Sequence, residues 1–396
     1  MIQAKPSVAV HSFHCEGIPA AVDVSRFEGA SGVEEYHLAI RPMEYRELDA
    51  QLDWLAEAYE TAAGLLGIDA GACVLRRFFC SDLANQLDIV KAHPFSSPDQ
   101  PCAISYAGQP PAPPAKVALW AYAVNDRSCA LDKSKSGATL TLNRGELAHL
   151  WTTGVGCTQK HGSYDQSEAI LESYADYLGA RGMSLADNVI RTWFFVRDID
   201  MNYKGLVDAR RDVFARCGLT PDTHFIASTG VGGTPADAAA VVSMDAYAIS
   251  GVRTDQLRFL RAQDHLSPTH IYGVTFERGV CIAYRDRSHI VISGTASIDA
   301  EGGIVHPGDL SRQLDRTLHN VEALLAEADA DFADVCSFVV YVRDPSDLDL
   351  VERAMRERFA DTPCQVVIAP VCRPGWLVEV ECQAIAAADN PALPAF

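Results

Sequence analysis

No stretch of this 396-residue chain approaches the ~20 consecutive apolar positions that a membrane-spanning helix needs, so no membrane role is expected. The opening MIQAKPSVAVHSF lacks the charged, apolar and small-residue sections of a secretory leader, which makes the cytoplasm the expected compartment. Positive charge is also scarce. Lys and Arg number 33 against 52 Asp and Glu, a formal charge of −19, and the basic residues never cluster beyond short pairs. A molecule this acidic repels nucleic acid, so none is expected as a partner. A small anionic metabolite remains eligible if a few focused arginines work against the overall field. There is no CxxC among the 12 cysteines, which removes zinc ribbons and thioredoxin-like chemistry. Most of these cysteines read as reduced core residues. No His/Asp/Glu group has metal-ligand spacing, and GVGGTPADAA (230–239) does not follow the phosphate-cradle patterns, so neither a metal nor another cofactor is expected.

What the chain does have is a repeat. CVLRRFFCSD (73–82), VIRTWFFVRD (189–198) and CSFVVYVRD (336–344) are each short, β-branched or aromatic, and closed by an aspartate, as suits a buried strand. An amphipathic run with helical spacing precedes each copy: 47–66, 163–182 and 309–328. A second helical run and two extended segments follow each. Self-similarity at this length points to repeated domains rather than a solenoid. The fold class is read as α+β, with tandem domains over 1–125, 126–251 and 268–390. Between the last two, a linker at 249–267 carries a short helical run, DQLRFLRAQ, and HIYGVTF is expected to open the third domain as a strand. Gly182 is expected to cap the helix of the second domain, and Asp309 to cap that of the third.

Candidate residues follow from chemistry. In WLVEVECQAIA, Glu379 and Glu381 alternate with valines, so both carboxylates share one strand face. Such a pair is costly unless solvated, bonded or used. In an apolar enclosure one of them would stay protonated and could act as a general acid; the alternative is a structural pair bonded to backbone or arginine. Cys372, beside Arg373, is either a reactive thiolate favoured by the cation or a packed thiol. Arg373, Arg285 and Arg191 are candidates for a substrate carboxylate, with Arg191 equally readable as half of a buried ion pair. Tyr284, Tyr203 and His224 are weaker candidates.

The set HIVISGTASI, QLDRTLHNVEALLAEA, FVVYVRD and P-x-x-VVIAPVCRPGWLVEVECQAIA over 268–390 resembles the Rid/YjgF family, whose members are homotrimers with clefts between subunits. The resemblance implies three tandem Rid/YjgF-like (chorismate-mutase-like) domains closed into an intramolecular pseudo-trimer, as a monomer or a homodimer. SGTASI followed by HPGD, the cysteine seven residues before Glu379 in CRPGWLVEVE, and RTWFFVRDID are similar to the chorismatase branch. That likeness implies a cofactor-independent lyase or hydrolase of secondary metabolism that releases pyruvate from chorismate or a related enolpyruvyl ether. It assigns Glu379 as acid and Cys372 as a pocket residue of the hydroxybenzoate-forming type. Imine-hydrolysing Rid proteins carry an arginine at the position of Gln365, and a neutral amide cannot form the bidentate pair with a substrate carboxylate. A divergent imine or enamine hydrolase is therefore the second reading, and a non-catalytic metabolite-binding scaffold the third.

Overall fold

The computed structural model describes residues 8–396. The first third runs β1 (Ala9–His14), β2 (Ala20–Glu28), β3 (Val33–Pro42), α1 (Leu48–Leu66), β4 (Cys73–Cys80), α2 (Leu83–Ala92), β5 (Ala103–Ala107) and β6 (Val117–Asp126). The second runs β7 (Asp132–Ser136), β8 (Thr139–Arg144), β9 (Leu147–Gly156), α3 (Gly162–Gly179), a single turn α4 (Leu185–Asn188), β10 (Val189–Val196), α5 (Ile199–Arg216), β11 (Ala227–Gly232) and β12 (Val242–Ser250). The third runs β13 (Leu257–Leu260), β14 (Gly279–Ala283), β15 (Arg287–Ala296), α6 (Leu310–Glu327), β16 (Val335–Val342), α7 (Leu348–Arg358), β17 (Cys364–Ile368) and β18 (Val378–Ala387).

Each third makes a six-stranded sheet with the same connectivity: 1-2-3-6-4-5, 7-8-9-12-10-11 and 13-14-15-18-16-17. In each, one pair is parallel, β4 with β5, β10 with β11 and β16 with β17. A helical crossover joins each pair, as parallel neighbours require. The three repeated units are thus a tandem Rid/chorismatase-like α+β fold.

Several local expectations change. DQLRFLRAQ is not a helix: after a short 3-10 turn, Leu257–Leu260 is an edge strand paired with β14. Leu257 and Phe259 pack toward the shared centre while Leu260 packs on the opposite face, as a strand requires, and pairing overrides helix propensity. HIYGVTF is not a strand: Thr269–Tyr272 is a 3-10 turn, and Gly273 follows with a φ of 84°. The helix α3 ends at Gly179, three residues before Gly182. Asp309 does cap α6, accepting the Arg312 N–H at 3.1 Å.

Strand alternation builds four cores. Phe194 and Val196 on β10 face the helices of their own repeat, while Trp193 and Phe195 face inward. The inward sets of all three sheets, among them Phe79, Trp120, Trp151, Trp193 and Tyr341, merge into one shared centre. Each sheet also buries its other face under its own helices. Fully burying a side chain of this size is worth about 1.5–3 kcal/mol, and the central set has no cover unless all three sheets meet.

The contacts between repeats close a ring. Thr153 of β9 donates to the Ile104 carbonyl of β5 at 2.7 Å. Ser228 of β11 donates its N–H to Ser293 Oγ of β15 at 2.9 Å. Gln365 of β17 donates to the Leu119 carbonyl of β6 at 2.8 Å. First meets second, second meets third, and third meets first.

Candidate active site

Strand register shows which residues are equivalent around the ring. Glu379 pairs with Tyr341, Ser243 with Phe195, and Ala118 with Phe79. Each partner stands three residues before the aspartate that ends its strand motif. The same slot therefore holds a carboxyl in the third repeat, a hydroxyl in the second and a methyl in the first. The Glu379 and Ser243 slots each line a cleft between repeats, and a further cleft lies between the third and first repeats. The cleft with Ser243 measures about 640 Å³, and the one between the third and first repeats about 340 Å³. The cleft with Glu379 is much smaller, about 50 Å³.

Two repeats build this small cleft. The third gives Glu379 from β18, Gly294 and Ala296 from β15, and the turn carrying Cys372, Arg373 and Trp376. It also gives Val274, Phe276 and Arg278 from the segment before β14. The second gives Tyr203 and Arg210 from α5, and Ser228 and Gly230 from β11. Arg210 is buried on the face of α5 that meets the third repeat, donating to Ser228 Oγ and Thr275 Oγ1, both at 3.3 Å. Arg278 donates to the Ser267 carbonyl at 3.0 Å. Arg373 lies 4.8 Å over the Trp376 ring, and that indole donates to the Ser297 carbonyl at 3.0 Å. Three guanidinium groups thus line one small chamber with one carboxyl.

Glu379 is only 5% exposed. Burial first, and then the neighbouring Glu381, push its carboxyl up to about 8, against the opposing pull of Arg191 and Arg278. A β-carbon on Gly294 would fall 1.9 Å from Glu379 Oε1, so this side chain needs a glycine opposite it. Cys372 does not become the thiolate that its neighbour Arg373 suggested. Burial, and then the charge of Glu379, raise the thiol to about 12, outweighing Tyr203 and Arg373. Burial also raises the Tyr203 phenol well above its ordinary range. At neutral pH the chamber holds a carboxylic acid, a thiol and a phenol facing fixed guanidinium groups. It can donate a proton and bind an anion.

Of the residues singled out in the sequence, the structure brings together Glu379, Cys372 and Arg373. Tyr203, the weaker candidate on α5, joins them, and the others lie elsewhere. Arg191 lies one layer inward and bonds Glu381 at 2.6 Å, so its ion-pair alternative holds. Gln365 faces the cleft between the third and first repeats. In a ring, the position beside Glu379 comes from the preceding repeat, where the residue in register is Thr229. Arg285 is exposed on the turn after β14, donating its N–H to the Pro394 carbonyl. Tyr284 is in the shared centre, 5.3 Å from the Phe396 ring. Reading the sequence alone missed Arg210, Arg278 and Trp376 and undervalued Tyr203. Arg210 sits within a helix among other arginines, and nothing local marks which of them faces another repeat. Among the described residues, no group of three or more His, Cys, Asp or Glu is placed to hold a metal ion, and no helix is long and apolar enough to cross a membrane.

Comparison with known proteins agrees with this construction. A family model described as endoribonuclease L-PSP matches residues 280–386. A RutC family protein from Pyrococcus abyssi is 33% identical over 97 residues, 24% of this chain and 76% of that protein. A chorismatase from Streptomyces hygroscopicus is 26% identical over 249 residues, 58% of this chain and 70% of that protein. A solved chorismatase structure shares the fold, with a TM-score of 0.62 and 17% identity over 80% of this chain and 94% of that one. The chain belongs to the Rid/YjgF family, also called RutC or L-PSP, and is similar to its chorismatases.

Proposed function

We propose that this chain is a cofactor-independent enzyme that converts chorismate, or a related enolpyruvyl ether of a cyclic carboxylate, with release of pyruvate. The observation that carries this reading is a buried carboxyl, held protonated up to about pH 8, enclosed with three arginines. An enol ether is cleaved by adding a proton to its terminal carbon, which leaves an oxocarbenium ion that water attacks. The resulting hemiketal collapses to pyruvate and the ring alcohol. Glu379 supplies the proton, and its conjugate base then takes one from the attacking water. Arg210, Arg278 and Arg373 meet the carboxylates of the substrate, which fits guanidinium geometry. Cys372, as a neutral thiol, shapes the wall and is not the nucleophile.

One working cleft per chain follows from Ser243 and Ala118 standing in the acid slot of the other two. The preferred partner is one small anionic molecule, and the ring needs no second copy to complete its site. A coupled assay for pyruvate tests the proposal. Wild type should turn over chorismate, and Glu379→Gln should lose about 10²–10⁴ in kcat. No turnover in wild type, or full turnover in the variant, rejects it. Ammonia from dehydroamino acids in place of pyruvate would favour an imine or enamine hydrolase.

A further inference from the structure

Two carboxyls share one face of β18 and meet different fates. Glu381 accepts from Arg191 at 2.6 Å, from Trp193 Nε1 at 2.9 Å and from Thr229 Oγ1 at 2.6 Å, all donors of the second repeat. Arg191 itself is fully buried, donates also to Ser293 Oγ at 3.0 Å, and bonds Thr229 Oγ1. The contact is thus an ion pair locked between the repeats. The equivalent seam between the first and second repeats has the same device: Arg77 bonds Asp245 at 2.9 Å, with Ser105 donating as well. Asp245 occupies the slot of Glu381, since it pairs with Trp193 as Glu381 pairs with Val339. Two seams carry the fastener, but only one carries an acid two residues earlier on the strand.

We propose that Glu381 and Arg191 are positioning residues for Glu379: the fastened pair fixes a carboxylate beside it and so makes Glu379 the proton-bearing member of the two. This rests on the acid role given to Glu379 above. The other groups that face or surround Glu379 are Tyr341 from β16, Arg278 before β14, Tyr203 and Arg210 from α5, and Cys372 and Arg373 from the turn between β17 and β18. Arg191 has two opposed effects. Its own cation favours an ionised Glu379, while its bond to Glu381 keeps the repelling charge in place. Removing the Glu381 charge therefore removes the repulsion and frees the cation to act on Glu379, and both effects have the same sign.

The test is a titration of ¹³C-labelled glutamate carboxyls by infrared spectroscopy, with Glu379→Gln to identify the band. It needs no substrate, so its outcome is separate from that of the pyruvate assay. In Glu381→Gln the Glu379 midpoint should fall by more than one pH unit, a tenfold loss of proton affinity or greater. Asp245→Asn breaks the matching fastener at the other seam and should leave that midpoint in place. An unchanged midpoint in folded Glu381→Gln, or an equal fall in Asp245→Asn, overturns the proposal. Should Glu381→Gln fail to fold, wild type decides. A protonated-carboxyl band at pH 7 that disappears in Glu379→Gln supports the proposal, and one that persists there overturns it. A wild type that titrates as expected yet releases no pyruvate would remove only the functional reading.

Discussion

A carboxyl that ionises near pH 8 inside a protein holds back its own fold as the solution becomes alkaline. Free glutamate loses its proton near 4.5, whereas folded Glu379 keeps it to about 8. Between those values the folded state binds the extra proton, so its contribution to stability is full below about 4.5 and declines until the pH passes 8. Glutamine imitates the protonated form and escapes that loss. Glu379→Gln should therefore be more stable than wild type at pH 8 by a few kcal/mol, at about 1.4 kcal/mol per pKa unit, with the gap shrinking toward pH 5. Paired thermal melts at the two pH values check it, and a gap that does not vary with pH contradicts the shift. Activity has the same sign: kcat/KM should fall as pH rises through about 8, because the acid form does the work. Gly294 belongs to the same argument. Gly294→Ala places a methyl where Glu379 Oε1 now lies, so turnover should collapse while the far-ultraviolet circular dichroism spectrum stays that of wild type.

At the scale of elements, the seams between sheets carry the load that a trimer would place between subunits. Arg77 and Asp245 are both buried, with side chains 1% and 4% exposed, and neither has water to fall back on. Breaking one partner of such a pair typically costs about 3–5 kcal/mol. Arg77→Met should lower stability by that order in urea unfolding, while Arg77→Met with Asp245→Leu should recover most of the loss. A single variant with wild-type stability would mean that the pair holds nothing. Much of this layer was legible in the sequence. The three aspartate-closed strands, the helices before them and the two glutamates on one strand face follow from periodicity and residue type. The short helix expected within the linker is an edge strand instead, because the four residues Leu257–Leu260 carry too short a pattern to separate strand from helix. The cleft was legible only on one side. Glu379, Cys372 and Arg373 lie within eight residues of each other, but Arg210 and Tyr203 come from another repeat. Closing the ring also moves Gln365 away from Glu379 and puts Thr229 in its place. Which repeat faces which is a tertiary fact with no local signature.

Across the whole molecule, linking three copies in one chain has released them from identity. A homotrimer must repeat any change three times, whereas this chain holds Glu, Ser and Ala in one slot and leaves clefts of very different size. The two larger clefts lack the acid, and the small one must open to admit a ring-bearing substrate, since about 50 Å³ is far below the ~300–1,000 Å³ of typical ligand sites. Val274 and Phe276 of the third repeat pack on Tyr203 and Val207 of the second beside this small cleft. The most direct measurement is the electron density of Glu379→Gln crystals soaked in chorismate. The account predicts one molecule per chain, beside position 379, with its carboxylates on Arg210, Arg278 or Arg373. Density in either of the larger clefts with none at position 379 would contradict it.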